Sequence, residues 1–412
     1  MTSLPVRRML GVGAGSFGAN VVNAFSNTVL PLILDGYGFP HAAIGFLAQE
    51  RSLVGALVQP LIGAISDRLR TPLGRRKPFF LVGVPLTAIA LVAIAIHPPA
   101  WAMAVLLSLF GLFLALAVDP YNALIADLAR PEQRGPLGGV MGACNMAGQV
   151  VLLLGAFLLY EHHQPWLFAV IICGLIAGFA ITFFSTREPH RYDSPPTQLH
   201  WRPVGYLRSV LAEHEVTKYA VALFFYWLGN GAAVPFLTQF AVHVLHASAA
   251  GSYLLVFVAV ATAGILAFPV GLLARRLGKK RVLSWGLFAF VPVTLIGSQL
   301  HTFGQGVVAM ACIGACNSVT TALVMPLLAD LIPQHRAGEF TGLGSLVWSI
   351  AQPIGAVAAG AFIDLSGTYR AVFVVAGLLF LVSAILLQTV RATAHAETPE
   401  PATTPASLAK VG

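Results

Sequence analysis

Two stretches of this chain, 203 positions apart, are near copies of one another, and both close a long apolar segment. ALIADLARPEQRG ends at Gly135 and PLLADLIPQHRAG ends at Gly338, so Asp127 answers Asp330 and Gly135 answers Gly338. A second echo pairs GAISDRLRTPLGRRK, from Gly63, with GLLARRLGKKR, from Gly271, each a basic turn between two apolar spans. A chain that repeats itself in this way folds as two similar halves made of the same kind of segment.

Read with a window of about 19 residues, the sequence offers twelve apolar spans, each long enough for a bilayer core of about 30 Å. They run Met9 to Leu34, Ala42 to Ser66, Pro78 to Ile96, Trp101 to Ala126, Gly138 to Tyr160 and Trp166 to Ser185, then Lys218 to Val242, Ser248 to Leu273, Arg281 to Ser298, Gly304 to Ala329, Gly338 to Ala361 and Ala371 to Gln388. Charged residues make up 10% of the chain and hydrophobic ones 57%, against roughly 25% charged in a soluble domain. The lipid bilayer is therefore the first partner of this chain. The reading is an all-α membrane protein of twelve transmembrane helices, two six-helix bundles related by a pseudo-twofold axis along the membrane normal. Residues 1–186 form the first bundle and 218–390 the second. Between them 187–217 turns polar and proline-bearing (REPHRYDSPPTQLHWRP), a cytoplasmic linker, and 391–412 is an Ala, Thr and Pro-rich tail expected to be disordered.

Lys and Arg set the orientation, because cytoplasmic loops collect them. Arg7 and Arg8 precede span one, Arg68 to Lys77 fill loop 2-3, Arg130 and Arg134 sit in loop 4-5, and Arg275 to Arg281 fill loop 8-9. Arg370 is the lone basic residue of the opposite loops. Both termini are expected in the cytoplasm, with the protein a multi-pass monomer of the plasma (inner) membrane and span one retained rather than cleaved. The net charge of +8 follows from that asymmetry, and nucleic acid is excluded as a partner. Cys144, Cys173, Cys312 and Cys316 all lie within apolar spans, where neither a disulfide framework nor a metal site has a basis. No phosphate-cradling loop and no nucleophile with a matched base are found, so no cofactor and no enzyme activity are expected. The histidines fall in loops, near span ends or in the tail, which gives no support to a buried histidine relay.

The turn after span two resembles the loop 2-3 signature of the major facilitator superfamily, with Gly63, Asp67, Arg68, Gly74, Arg75 and Arg76 in the places of its Gly, Asp-Arg and Gly-Arg-Arg cluster. Arg70 to Leu73 are inserted before Gly74. Together with Gln59-Pro60 and the run NALIADL (Asn122 to Leu128), this is similar to the glycoside-pentoside-hexuronide and sucrose-transporter branch. The resemblance implies alternating access and a sugar-like substrate. Sodium-coupled members of that branch carry paired aspartates where this chain has Gly55 and Gln59, so the resemblance does not imply sodium coupling. Plant-type sucrose carriers have an Arg where this chain has Asn122, which becomes a candidate substrate contact.

Few residues could carry chemistry inside the spans. Asp119 lies about 12 Å inside the cytoplasmic end of span four, next to helix-breaking Pro120, and a carboxylate at that depth must be paired or protonated. It is a candidate proton carrier, as is Glu50 in span two. Adjacent Arg51 points elsewhere on the helix and could meet substrate or Asp119. In span one Ser16, Asn20, Asn23 and Asn27 recur at helical spacing and would share one face, and amides suit hydroxyl-rich ligands. Span seven offers Tyr226, Asn230, Thr238 and Gln239. Gln149 and Gln352 lie at the repeat offset and would face one another across the pseudo-twofold, with Trp348 one turn away as a platform for a sugar ring. A cytoplasmic latch is expected from Gly63, Asp67, Arg68, Gly74, Arg75, Arg76, Asp127 and Arg134, echoed by Asp330 and Arg336. The function expected is proton-coupled uptake of a sucrose- or maltose-like sugar or glycoside. The alternative is proton-coupled export of drugs or amphipathic metabolites.

Overall fold

The computed structural model describes residues 5–49, 58, 62, 65, 66, 69, 71–128, 131–186, 213–331 and 337–391. Among them every regular element is helical: α1 Val6–Gly36, α3 Lys77–Ala95, α4 Ala100–Leu128, α5 Pro131–Leu159, α6 Gln164–Ser185, α7 His214–His243, α8 Ala249–Leu277, α9 Lys279–Gly297, α10 Phe303–Leu331, α11 Ala337–Ser366 and α12 Arg370–Thr389. These eleven are long and apolar enough to cross a membrane, and residues 41–49 begin another helix, α2. Boundaries match the sequence reading to within a few residues, except that α5 starts earlier, at Pro131, a residue suited to a first helical turn. Of the expected linker 187–217, residues 187–212 lie outside the described residues and 214–217 already belong to α7, and of the expected tail 391–412, residues 392–412 lie outside them.

One core is centred in α1 to α6 on Val12, Phe25, Leu91, Leu114 and Ile171 and runs across the seam to Phe236, Tyr253 and Ile363, and another lies within the second half on Tyr219, Leu287, Val324 and Phe380. Large apolar side chains such as Phe184, Ile265 and Phe268 point outward. On a protein in water that would mark a binding surface, and on a helix bundle in lipid it is the ordinary exterior.

The sequence repeat reappears as repeated bonds. Lys77, at the start of α3, donates to the carbonyl of Thr186 at the end of α6 (2.5 Å), and Lys280, 203 positions on, donates to Gln388 at the end of α12 (3.0 Å). In both halves the basic turn thus supplies a cation to the carbonyl end of a neighbouring helix. The first helix of each half also breaks at a proline. Around Pro31 α1 widens into a π-turn at Phe25–Val29, and around Pro235 α7 tightens into a 3₁₀ turn at Val234–Phe236. Proline removes a helical N–H and frees a carbonyl, which must find another donor in lipid. Beside this break α7 adds two donors across the seam: Thr238 donates to the Thr28 carbonyl and Gln239 to the Pro31 carbonyl, both at 3.2 Å.

Those bonds join the halves near the face opposite the chain ends, hereafter the distal face. Glycines bring the helices together there. A side chain at Gly45 would strike the backbone of Ala356, and one at Gly360 the backbone of His41, so α2 and α11 touch main chain to main chain. Two carboxylates complete the closure. Asp364, at the end of α11, accepts from the backbone N–H groups of His41 and Ala42 at the start of α2, both at 3.0 Å. Glu161, just past α5, accepts from the N–H of Ala250 at the start of α8 at 2.9 Å. Glu161 and Asp364 stand 203 positions apart, and Ala42 and Ala250 stand 208 apart, the same offset as Gly63 and Gly271. Each half therefore caps a helix start of the other in the same way, an anion on the positive helix end.

Candidate substrate and coupling site

Polar side chains are scarce in these helices, and where they pair is informative. At the α7–α11 crossing, Gln352 donates to the side-chain oxygen of Asn230 at 3.1 Å. Gly231 and Gly355 make the crossing possible, since a Cβ on either would run into the backbone of Gln352 or Leu228. One turn nearer the chain ends, Trp227 and Trp348 meet edge to face with centroids 6.2 Å apart. An amide pair thus adjoins an aromatic pair, with Trp348 37% exposed. Trp227 escaped the sequence reading, although it precedes Asn230 by one turn as Trp348 precedes Gln352.

The polar face expected along α1 divides among three neighbours. Tyr121 of α4 donates to the Val12 carbonyl (2.6 Å), so the 2.8 Å contact with Ser16 is the serine donating to the phenol oxygen. Asn20 donates to the Asn145 carbonyl on α5 at 2.6 Å. Asn27 donates to the Asn23 carbonyl at 2.9 Å and accepts from Gln49 of α2 at 2.7 Å. The π-turn that starts at Phe25 resets the angle at which Asn27 leaves the helix, which a uniform period could not foresee.

Asn27 and Asn230 are repeat partners, 203 positions apart, as are Gln149 and Gln352. The second half joins its pair, whereas in the first half Gln49 takes the place at Asn27 and Gln149 lies half-buried on α5. Tyr226 is buried and donates to Thr320 at 2.9 Å, lining with Tyr219, Leu287, Val324 and Ser383 a narrow apolar crevice inside the second half. Asn122 is exposed on α4.

Asp119 sits half-buried on α4 directly before Pro120, with its Oδ2 shut off from solvent. The position 203 residues later is Ala322, so the intramembrane acid belongs to the first half alone. Glu50 and Arg51, the other ionisable candidates, lie outside the described residues.

Of the latch, the described parts are local ties. Gly74 adopts φ +105°, which favours glycine, in a turn closed by the Thr71 hydroxyl on the Gly74 carbonyl (2.6 Å). Arg76 is buried and donates to the Ser66 hydroxyl at 2.8 Å, and that hydroxyl donates to the Arg75 carbonyl. In the second half Lys279 donates to both oxygens of Asp330 at 2.7 Å, fastening α10 to the basic turn. Gly63, Asp67, Arg68 and Arg336 lie outside the described residues, as do the side chains of Asp127 and Arg134.

A family model described as MFS/sugar transport protein matches residues 11–393. The chain belongs to that family. It is a transporter of the major facilitator superfamily, in the sucrose-transporter-like branch that the loop 2-3 turn resembles, and not an enzyme. Multidrug resistance protein MdtH of Yersinia enterocolitica serotype O:8 / biotype 1B (strain NCTC 13174 / 8081) is 23% identical over 82% of this chain and 83% of its own. Sucrose transport protein SUT2 of Oryza sativa subsp. indica is 33% identical over 22% of this chain and 19% of that one. The solved nucleoside transporter NupG superposes with a TM-score of 0.72 at 12% identity, over 92% of this chain and 99% of that chain, which shows the shared fold.

Proposed function

We propose that this family member is a proton-coupled symporter that takes up a sugar or glycoside by alternating access, as a monomer in the plasma (inner) membrane with both termini in the cytoplasm. The bundles 1–186 and 218–390 rock about a site between them, joined by 187–217. The observation that carries the substrate class is the α7–α11 constellation: an amide pair beside an aromatic pair. Asn230 and Gln352 offer donors and acceptors together, as hydroxyl-rich ligands need, and Trp227 with Trp348 offers flat apolar faces for a sugar ring. Asn20, Asn23, Asn27, Arg51, Asn122 and Gln149 extend the site into the first half. Tyr226 supports it from within the second half. Asp119, with Glu50 as second acid, carries the proton, because a carboxylate in the membrane is least costly when neutralised as substrate binds.

The MdtH match, which runs over most of the chain, favours a second reading, export of drugs or amphipathic metabolites through the same fold. The two are separated by one experiment. Purified protein in liposomes is screened for flux of mono- and disaccharides with and without a pH gradient. Sugar accumulation driven by the gradient supports uptake. Gradient-driven dye extrusion with no sugar flux overturns it in favour of export.

A further inference from the structure

The distal closure contains more than its two symmetric caps. His41 and His243, which the sequence reading left as loop residues, meet there with Asp35 and Asp364. His243 Nε2 lies 2.6 Å from Asp35 Oδ2, and His41 Nδ1 lies 2.6 Å from Asp364 Oδ1. His41 Nε2 is 3.9 Å from the other oxygen of Asp35 and 2.7 Å from the Tyr369 hydroxyl. The Tyr369 ring stacks on His243, 5.3 Å between centroids and 2° from parallel. Asp35 and His41 belong to the first half, and His243, Asp364 and Tyr369 to the second. Both imidazole–carboxylate pairs therefore span the seam.

The charge balance around the cluster is simple. From α1 comes Asp35, from α2 His41, from α7 His243, from α11 Asp364, and from the turn before α12 Tyr369. Burial first, then the two aspartates, push the Tyr369 phenol up, and burial does the same for Tyr160, which also feels Asp35. Both phenols stay neutral at ordinary pH. Arg370 is committed to the carbonyls of Ser298 and Leu300 on the α9–α10 side. Glu161 is engaged with the start of α8. With neutral imidazoles the cluster thus carries two negative charges, and with both protonated it carries none.

We propose that Asp35, His41, His243 and Asp364 form a proton-binding lock on the distal gate, in which protonated histidines hold the halves closed at that face. Each proton turns an imidazole–carboxylate hydrogen bond into an ion pair across the seam and offsets the repulsion between carboxylates brought together by closure. Histidine is the side chain that changes charge between about pH 5 and 8. Acid on the distal side therefore closes the gate, and the stabilisation is lost as pH rises. In the opposing clasp Glu161 is bonded to a backbone N–H of Ala250, which does not titrate, and the histidines that follow it, His162 and His163, make no bond to Ala250. The lock rests on the alternating-access reading but does not depend on what is transported.

The test reads the gate itself. Spin labels at Ala100→Cys and Gly304→Cys, exposed positions at the distal ends of α4 and α10, are placed in a background with the four native cysteines replaced by alanine. Distances are recorded at pH 5.5 and pH 8. The closed-to-open ratio should be about tenfold higher in acid, about 1.4 kcal/mol. His41→Gln with His243→Gln should flatten the response, Glu161→Gln should lower the closed fraction at both pH values with the response kept, and Asp119→Asn should leave the response intact. A pH-independent ratio in the parent background overturns the lock, and so does a response that survives loss of both histidines. Failure of sugar uptake with the distance response retained would instead strike only the substrate reading.

Discussion

The two halves share a backbone plan and differ in what they hang on it. Both anchor the end of their last helix with the lysine of a basic turn (Lys77, Lys280), and both break their first helix at a proline (Pro31, Pro235). Each also caps a helix start of the other half with a carboxylate. Yet the intramembrane acid Asp119 answers to Ala322 in the repeat, Trp227 and Trp348 answer to Ala24 and Asn145, Asn27 pairs with Gln49 where Asn230 pairs with Gln352, and imidazole–carboxylate pairs span one clasp of the two. Shared features fix geometry. Under the proposed function the unshared ones carry charge and recognition, which a symmetric pair could not divide between a proton and a neutral ligand.

The comparison breaks most sharply at Asp119. Asp119→Asn in liposomes should abolish accumulation driven by a pH gradient while counterflow exchange continues, and adding Ala322→Asp should not restore it. Accumulation that survives removes the assignment of coupling to the first half. Next come the amides: Gln352→Ala should raise the half-saturation concentration about tenfold, about 1.4 kcal/mol, with Trp348→Ala similar. Gln149→Ala, its repeat partner, should change it by less than about threefold, a loss near the weak end of a single hydrogen bond. Equal effects would mean that the halves bind substrate symmetrically.

Packing offers a smaller contrast. Gly355→Ala places a methyl against the Leu228 backbone and should cost about 1–3 kcal/mol of stability by overpacking, whereas Gly142→Ala, which meets open space, should be nearly neutral. Thermal unfolding in detergent reads the difference. The smallest contrast expected is between the paired lysines. Lys77→Met removes a buried charged donor worth about 2 kcal/mol, and Lys280→Met, more exposed, should cost about 0.5 kcal/mol. Equal melting shifts would show that burial does not distinguish the two anchors.

Much of this was legible in the chain. The spans follow from apolar length alone, because nothing but a helix satisfies its own backbone in lipid. The repeat offset already paired Gln149 with Gln352 and, followed further, pairs Asn27 with Asn230 and Glu161 with Asp364. What the offset could not say is which of these meet. Gln352 finds Asn230 because two glycines bring α7 and α11 together, while Asn27 finds Gln49 after a π-turn has turned it.

The order of helices, their number and their twofold kinship were determined by sequence, since each rests on local hydrophobicity and on a period within the chain. The partners of the polar groups were decided by tertiary structure. His41 and Asp364 are separated by 323 positions, and only the crossing of α2 against α11 sets their contact, which no local pattern encodes.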